Sequence, residues 1–95
     1  MSDSYDQRAV TEALEGLDGW AGTPEALTKT YEFESFAAAM AFLQRAAGPI
    51  DEMNHHPEWT NVYSRVDVRL TSHDAGGVTD ADVRLAGLLD DLARA

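Results

Sequence analysis

The spacing of apolar residues predicts an amphipathic helix at each end of the chain. Near the N-terminus, apolar residues recur at helical intervals and predict a helix near residues 5–16, with Ser4 and Gln7 spaced as a capping box. Near the C-terminus, leucines recur three and four positions apart after Thr79 and Asp82, which have the spacing of a second capping box. The chain is therefore predicted to begin and end in helices.

Alternating patterns between these helices predict two pairs of strands. Residues 20–23 favour a short strand and residues 27–33 a longer one, because polar and apolar side chains alternate in a β-rich segment. Residues 59–63 and 66–72 favour a second pair. Ser64-Arg65 is not a typical hairpin turn, so one long bent strand is the alternative for this pair.

The central segment, residues 36–47, is apolar around almost its whole circumference. Ser35 is suited to cap it, while Gly48-Pro49 predicts a break or kink, after which residues 50–54 can resume the helix for a turn. A helix without a polar face must be covered on more than one side, and a sheet in so small a domain covers only one. We expect a second subunit to cover the rest, forming a homodimer or homotetramer; a groove in the same monomer is the alternative.

The predicted order of elements, α-β-β-α-β-β-α, indicates an α+β fold. Paired strands between helices in a short chain favour an antiparallel sheet with the helices packed on one face. Ninety-five residues support one domain, residues 1–95, and leave no room for a second hydrophobic core.

The composition narrows the classes of function. Seventeen acidic against seven basic residues give a formal charge of −10, which repels phosphate backbones, so we expect no nucleic-acid partner. Solubility explains this charge, with an acidic recognition surface as the alternative. The absence of cysteine excludes a disulfide framework, a thiolate metal site and a cysteine nucleophile. Without an apolar run of about 18 residues or a signal-peptide pattern, we expect a cytoplasmic protein with no membrane span.

All three histidines of the chain lie in two short segments. His55 and His56 stand within residues 51–59, and His73 stands within residues 71–77. Imidazole is the side chain whose unperturbed pKa lies closest to neutrality, so it suits proton transfer at working pH. Packing alone does not explain why all three histidines fall in two short segments. The sequence therefore predicts a proton-transfer site.

Two other histidine chemistries have less support. His55 and His56 are adjacent and lack the four-residue spacing of helical metal ligands, so we expect no metal. A three-histidine zinc site completed by His73 is the alternative. Ser72-His73-Asp74 cannot act as a catalytic triad, because consecutive residues on a strand do not converge on one another.

Two tryptophans and one aspartate are candidates to complete the site. Trp20 and Trp59 could form an aromatic wall for a flat heterocycle, with burial in the core as the alternative for each. Asp51 lies one helical turn before His55 and could accept its N–H, with a solvated surface position as the alternative.

Two motifs carry a family resemblance over nearly the whole chain. The first is Asn54-His55-His56-Pro57-Glu58-Trp59 with Val62-Tyr63, and the second is Leu70-Thr71-Ser72-His73-Asp74 with Gly77, Thr79, Asp82 and Leu85-Ala86. Gly19-Trp20 and Tyr31-Glu32-Phe33, with Phe36 and Phe42-Leu43, extend the match. The combination of His-His-Pro-x-Trp with a downstream Thr-x-His-Asp is highly specific. The chain resembles the pterin-4a-carbinolamine dehydratases.

This resemblance implies a four-stranded antiparallel sheet with helices on one side and assembly into dimers or tetramers. It implies loss of water from 4a-hydroxytetrahydropterin to give quinonoid dihydropterin, with the pterin as substrate and no cofactor. Acid and base roles then fall to His55 and His73, with His56 as the acid for one face of the substrate. The residues that would hold the polar edge of the pterin are Asn54, Thr71 and Ser72.

Two further functions stay open beside the dehydratase. Some members of the family act as partners of a transcription factor, so the chain could be a non-catalytic binding or regulatory module whose working surface is the helix of residues 36–47. Alternatively, the fold could serve another pterin-like or purine-like ligand. Histidine variants separate the enzyme from the binding module, because only the enzyme needs the imidazoles.

Overall fold

The computed structural model describes residues 4–95. In chain order the elements are α1 (Gln7–Leu14), β1 (Ala21–Thr23), β2 (Ala26–Glu32), α2 (Phe36–Met53), β3 (Glu58–Val62), β4 (Arg65–Leu70), a short 3₁₀ helix (His73–Ala75) and α3 (Asp80–Arg94). This order confirms the predicted α-β-β-α-β-β-α arrangement.

The four strands form one antiparallel sheet in the order β1-β2-β4-β3. Alternate residues of the two central strands are buried under the helices, while their neighbours lie on the open face. The alternation follows from the period of two along a strand. The fold is therefore α+β, as predicted. The buried positions on β2 and β4 are Leu27, Tyr31, Val66, Val68 and Leu70.

The segment after α2 forms two separate strands, β3 and β4, joined by a hairpin turn, so the alternative of one long bent strand is wrong. Tyr63 adopts a φ of 53°, which is unusual for a bulky residue. The side-chain amide of Asn61 donates hydrogen bonds to the carbonyls of Tyr63 at 3.1 Å and Arg65 at 3.0 Å, and so supports the turn. A typical hairpin turn has glycine where φ is positive; here the contacts of Asn61 hold Tyr63 in that conformation instead.

The predicted break at Gly48-Pro49 is wrong, because α2 runs without interruption to Met53. Pro49 removes one backbone hydrogen bond, but Ala46 and Ile50 on either side are buried in the core and hold the helix in place. The helix ends instead at Met53, with Asn54 as its C-cap. Although α2 is 18 residues long, no helix within residues 4–95 is long and apolar enough to cross a membrane.

The helix caps are partly as predicted. Asp6, and not Ser4, caps α1, since its carboxylate accepts the backbone N–H of Ala9 at 2.8 Å. The predicted capping box of α3 is confirmed, with Thr79 as the N-cap and Asp82 three positions on.

A buried polar cluster ties the start of β1 and the middle of β2 to α3. The carboxylate of Asp90 accepts hydrogen bonds from the indole N–H of Trp20 at 3.1 Å, the ammonium of Lys29 at 2.8 Å and the hydroxyl of Tyr31 at 2.5 Å. The ammonium also lies 4.8 Å from the centre of the Tyr31 ring. The buried carboxylate of Asp90 is therefore hydrogen-bonded and paired with a cation, as burial of a charge requires.

We expect stability above pH 10 to fall more steeply in the wild type than in Tyr31→Phe. Burial, and then the hydrogen bond to Asp90, raise the pKa of Tyr31 far above its ordinary value of 10.0. At high pH the unfolded chain therefore loses a phenolic proton that the folded chain keeps. The contribution of Tyr31 is fully present below its unfolded pKa and declines by as much as about 1.4 kcal/mol per pH unit above it.

Urea unfolding of both proteins from about pH 8 to about pH 11 measures the two slopes. The free energy of unfolding of the variant is lower by a constant amount, because it lacks the hydrogen bond to Asp90. The comparison therefore uses the slopes of this free energy against pH and not its absolute values. Parallel curves would contradict the assignment to Tyr31.

Candidate active site

Antiparallel pairing of β3 with β4 brings the two histidine segments together. Asn54 ends α2 in the left-handed region, with a φ of 53°, and the chain then turns toward β3. Glu58, the first residue of β3, pairs with Arg69 near the end of β4, so the residues before β3 lie beside those after β4. A cleft of about 270 Å³ lies there, lined by Asn54, His55, His56, Thr71, Ser72, His73 and Asp74.

His55 is the most enclosed of the three imidazoles, with 17% of its side chain exposed. Its Nε2 lies 2.6 Å from Oδ1 of Asp82, a fully buried carboxylate in the first turn of α3. The other oxygen, Oδ2, accepts the hydroxyl of Ser72 at 2.7 Å and the backbone N–H of Thr79 at 2.9 Å. Asp82 thus joins the helix cap to the histidine.

This network selects one tautomer of His55. Because Asp82 already accepts two other hydrogen bonds, it acts as an acceptor toward the ring as well, and Nε2 carries the proton. The neutral ring then has its lone pair on Nδ1, which is free to accept a proton. An enclosed, oriented imidazole of this kind suits the role of a base.

Asp82 is a site residue to which the sequence assigned no role at the site, although it belongs to the predicted helix cap and to the second motif. Its contact with His55 spans 27 positions of sequence, so neither helical nor strand spacing could reveal it. Two signals in the sequence could have found it: Asp82 belongs to the same motif as His73, and it lies in the first turn of the helix that follows the loop of His73.

The pairing predicted between Asp51 and His55 is wrong. Asp51 Oδ1 lies 2.9 Å from Nε2 of His56, while His55 turns inward to Asp82. The prediction assumed helical geometry from residue 51 to residue 55, but α2 ends at Met53, and the left-handed Asn54 redirects the chain. The pair formed with His56 is largely exposed.

His73 stands in the 3₁₀ helix and is the most exposed imidazole, at 78%. Its Nε2 lies 3.3 Å from Oε2 of Glu58. The three histidines therefore each have one carboxylate beside Nε2, supplied by Asp82, Asp51 and Glu58. Within residues 4–95, no group of three or more histidine and acidic side chains is arranged to hold a metal ion.

The hydroxyl groups predicted to hold a ligand already donate to the protein. Thr71 donates to the carbonyl of Glu25 at 2.7 Å, and Ser72 donates to Asp82. Both residues line the cleft, but each offers a ligand only the lone pairs of its oxygen. Asn54 lies exposed at the same cleft, and its role in holding a ligand stays a prediction.

Neither tryptophan lines the histidine cleft. Trp20 is buried in the core beside Asp90, so the aromatic wall predicted there is wrong. Asp90, the partner of Trp20, lies eight residues beyond Asp82 on α3, which is about 12 Å along the helix axis from the partner of His55. Trp59 pairs with Val68 in the sheet and packs against the core, half-buried. For both residues the core alternative describes the structure.

The fold and the cleft together define a small α+β domain with an open cleft lined by three histidines. The chain belongs to the pterin-4a-carbinolamine dehydratase family, because a family model described as Pterin 4 alpha carbinolamine dehydratase matches residues 3–92. The match includes both histidine segments.

Similar proteins agree with this membership. A Bordetella avium (strain 197N) protein, named as a candidate pterin-4-alpha-carbinolamine dehydratase, is 48% identical over 95 residues, covering 98% of this chain and 88% of its own. A protein of the same name from Opitutus terrae (strain DSM 11246 / JCM 15787 / PB90-1) is 56% identical over 81 residues, which is 84% of each chain.

Two solved structures share the fold. A Brucella melitensis protein, described as a transcriptional coactivator/pterin dehydratase, has a TM-score of 0.92 at 38% identity, covering 96% of this chain and 99% of its own. A pterin dehydratase-like protein, described as a RuBisCO assembly factor in the alpha-carboxysome, has a TM-score of 0.64 at 29% identity, covering 78% of this chain and 86% of its own.

Proposed function

We propose that the protein removes water from a 4a-hydroxytetrahydropterin to give a quinonoid dihydropterin. The observation that carries this proposal is that His55, His56 and His73 line one cleft. The family and the names of the relatives support the same reaction.

The reaction requires one proton to be donated and one to be removed. The C4a–oxygen bond breaks as the hydroxyl takes a proton and leaves as water. The lone pair of N5 then forms the N5=C4a double bond, and the N5 proton passes to a base. A positioned acid or base each contributes about 10²–10⁴-fold to such a step. No metal ion or further cofactor is needed for the balance of atoms and electrons.

We assign the base role to His55, because Asp82 orients its ring with the Nδ1 lone pair free. His73 serves as the acid, and His56 serves as the acid for one face of the substrate. Both are exposed, at 78% and 57%, so solvent can replace the proton that each one donates. Asn54 and the oxygens of Thr71 and Ser72 hold the polar edge of the pterin.

Stopped-flow measurement of carbinolamine loss tests this function. The first-order rate should rise in proportion to the protein concentration, after subtraction of the rate in buffer alone. A rate equal to that of buffer at every protein concentration would refute the dehydratase proposal.

A second candidate function is binding through the outer face of α2. Its inner face is buried in the core through Ala39, Phe42, Ala46 and Ile50, whereas Phe36 is 49% exposed. Ala37, Ala47 and Gly48 are also exposed, so the monomer leaves part of an apolar helix uncovered. We propose that a second copy of the chain covers this face, giving a dimer or tetramer. A regulatory partner on the same face is the non-catalytic alternative.

Ala37→Glu tests the interface on α2. Ala37 is exposed in the first turn of the helix, where a carboxylate is compatible with the fold, yet a buried charge would oppose association. We expect the mass measured by sedimentation equilibrium to fall to that of the monomer. Ala21→Glu, on the exposed edge strand β1, is the matched control and should keep the wild-type mass. Identical masses for all three proteins would exclude this interface.

A further inference from the structure

We propose that Glu58 is a positioning residue that orients His73, an inference that rests on the proposed dehydratase function. Glu58 opens β3 and lies opposite Arg69 of β4 in the sheet. Its Oε1 accepts a hydrogen bond from Arg69 Nη1 at 3.1 Å, and its Oε2 lies 3.3 Å from Nε2 of His73. One carboxylate therefore connects the sheet to an imidazole of the cleft.

The exposed His73 needs such a partner more than the enclosed His55 does. His55 is held by the buried Asp82, whereas His73 is largely exposed on a short 3₁₀ helix that leads into Gly76-Gly77. An exposed ring samples several rotamers, but a proton donor must stay within hydrogen-bond reach of the atom that it protonates. Among the described residues, Glu58 is the one acidic side chain at ion-pair distance from the ring of His73.

The contact also decides which nitrogen of His73 is available to the substrate. The carboxylate of Glu58 lies 3.3 Å from Nε2 as an ion-pair partner, so Nδ1 is the ring nitrogen left to face a ligand. Arg69 holds the glutamate, which is half exposed and would otherwise be flexible. Because exposed ion pairs contribute little to folding, the loss of Glu58 should affect the orientation of the ring and leave the fold intact.

Glu58→Gln tests the proposal through kinetics. We expect kcat to fall about 2- to 5-fold, because an exposed ion pair can bias the orientation of the ring by no more than about 1 kcal/mol, with KM within about twofold of wild type. Asp67→Asn is the matched control. Asp67 pairs with Arg65 within β4 at 3.3 Å, the same distance as between Glu58 and His73, and its loss should leave kcat at the wild-type value. Unchanged kcat in Glu58→Gln would overturn the proposal.

A double-mutant cycle tests whether Glu58 acts through His73. In a His73→Ala background, Glu58→Gln should cause no further loss, because the residue that it positions is absent. A full additional loss would show that Glu58 acts directly on the substrate and would overturn the positioning role.

NMR gives a readout that does not depend on the reaction. Three-bond couplings that report χ1 of His73 should indicate one dominant rotamer in the wild type and in Asp67→Asn, and averaging in Glu58→Gln. Averaging already present in the wild type would overturn the proposal. An inactive wild type with an ordered His73 would refute the dehydratase function alone, so the two failures are distinguishable.

Discussion

Replacing His55 by glutamine is expected to lower kcat/KM for carbinolamine dehydration by about 10²–10⁴-fold, the full contribution of a positioned acid–base group. The glutamine amide can still donate a hydrogen bond to Asp82, whose carboxylate lies 2.6 Å from the present ring nitrogen. It cannot take up and release a proton. The variant therefore separates proton transfer from the structural contact, and the stopped-flow assay measures the loss.

His55→Ala provides the comparison for this experiment. It removes both the proton-transfer group and the hydrogen bond, so it should be as inactive as His55→Gln but less stable by about 1–2 kcal/mol. Urea unfolding measures that difference. Retention of more than about a tenth of wild-type activity by His55→Gln would contradict the base role.

Asp82→Ala should give the largest loss of stability among the variants considered. The change removes the side chain that completes the α3 cap, leaves the buried backbone N–H of Thr79 without its acceptor, and takes from Ser72 one of its two hydrogen-bond partners. Stranded buried donors cost about 1–3 kcal/mol each, and with the lost cap we expect a decrease of about 3–5 kcal/mol in the free energy of unfolding.

Activity should fall at least tenfold in the same variant, measured under conditions where it remains folded, because His55 loses the partner that fixes its tautomer. Asp91→Ala is the control on the same helix: its exposed pair with Arg94 contributes less than about 1 kcal/mol. Equal stability of the two variants would show that the Asp82 network does not support the fold.

Most of the fold could be predicted from local patterns. Thr79 and Asp82 form the expected cap, and the alternation along β2 and β4 places the buried side chains under the helices. Local rules failed where longer-range packing decides the outcome. Pro49 stays inside α2 because residues on both sides of it are buried, and the tight hairpin after β3 depends on a side-chain contact made by Asn61.

The candidate site was predictable in its histidines but not in their partners. His55, His56 and His73 line one cleft, as expected from their position at two segment ends. Their carboxylates come from different elements, and the pairing of His55 with Asp82 crosses from the α2–β3 loop to α3. Such contacts depend on how whole helices and strands pack together, and the spacing of residues along the sequence carries no information about that packing. The same limit explains why Trp20, whose type suits a ligand wall, lies in the core instead.

The central claim is that one ligand contacts all three imidazoles. An NMR titration of isotopically labelled protein with a soluble tetrahydropterin tests this claim through the ring signals of the histidines. We expect the signals of His55, His56 and His73 to shift together with a single dissociation constant, while the indole signal of Trp20 stays in place. A pterin that shifts the indole signal, or that leaves His73 unperturbed at saturation, would contradict this claim.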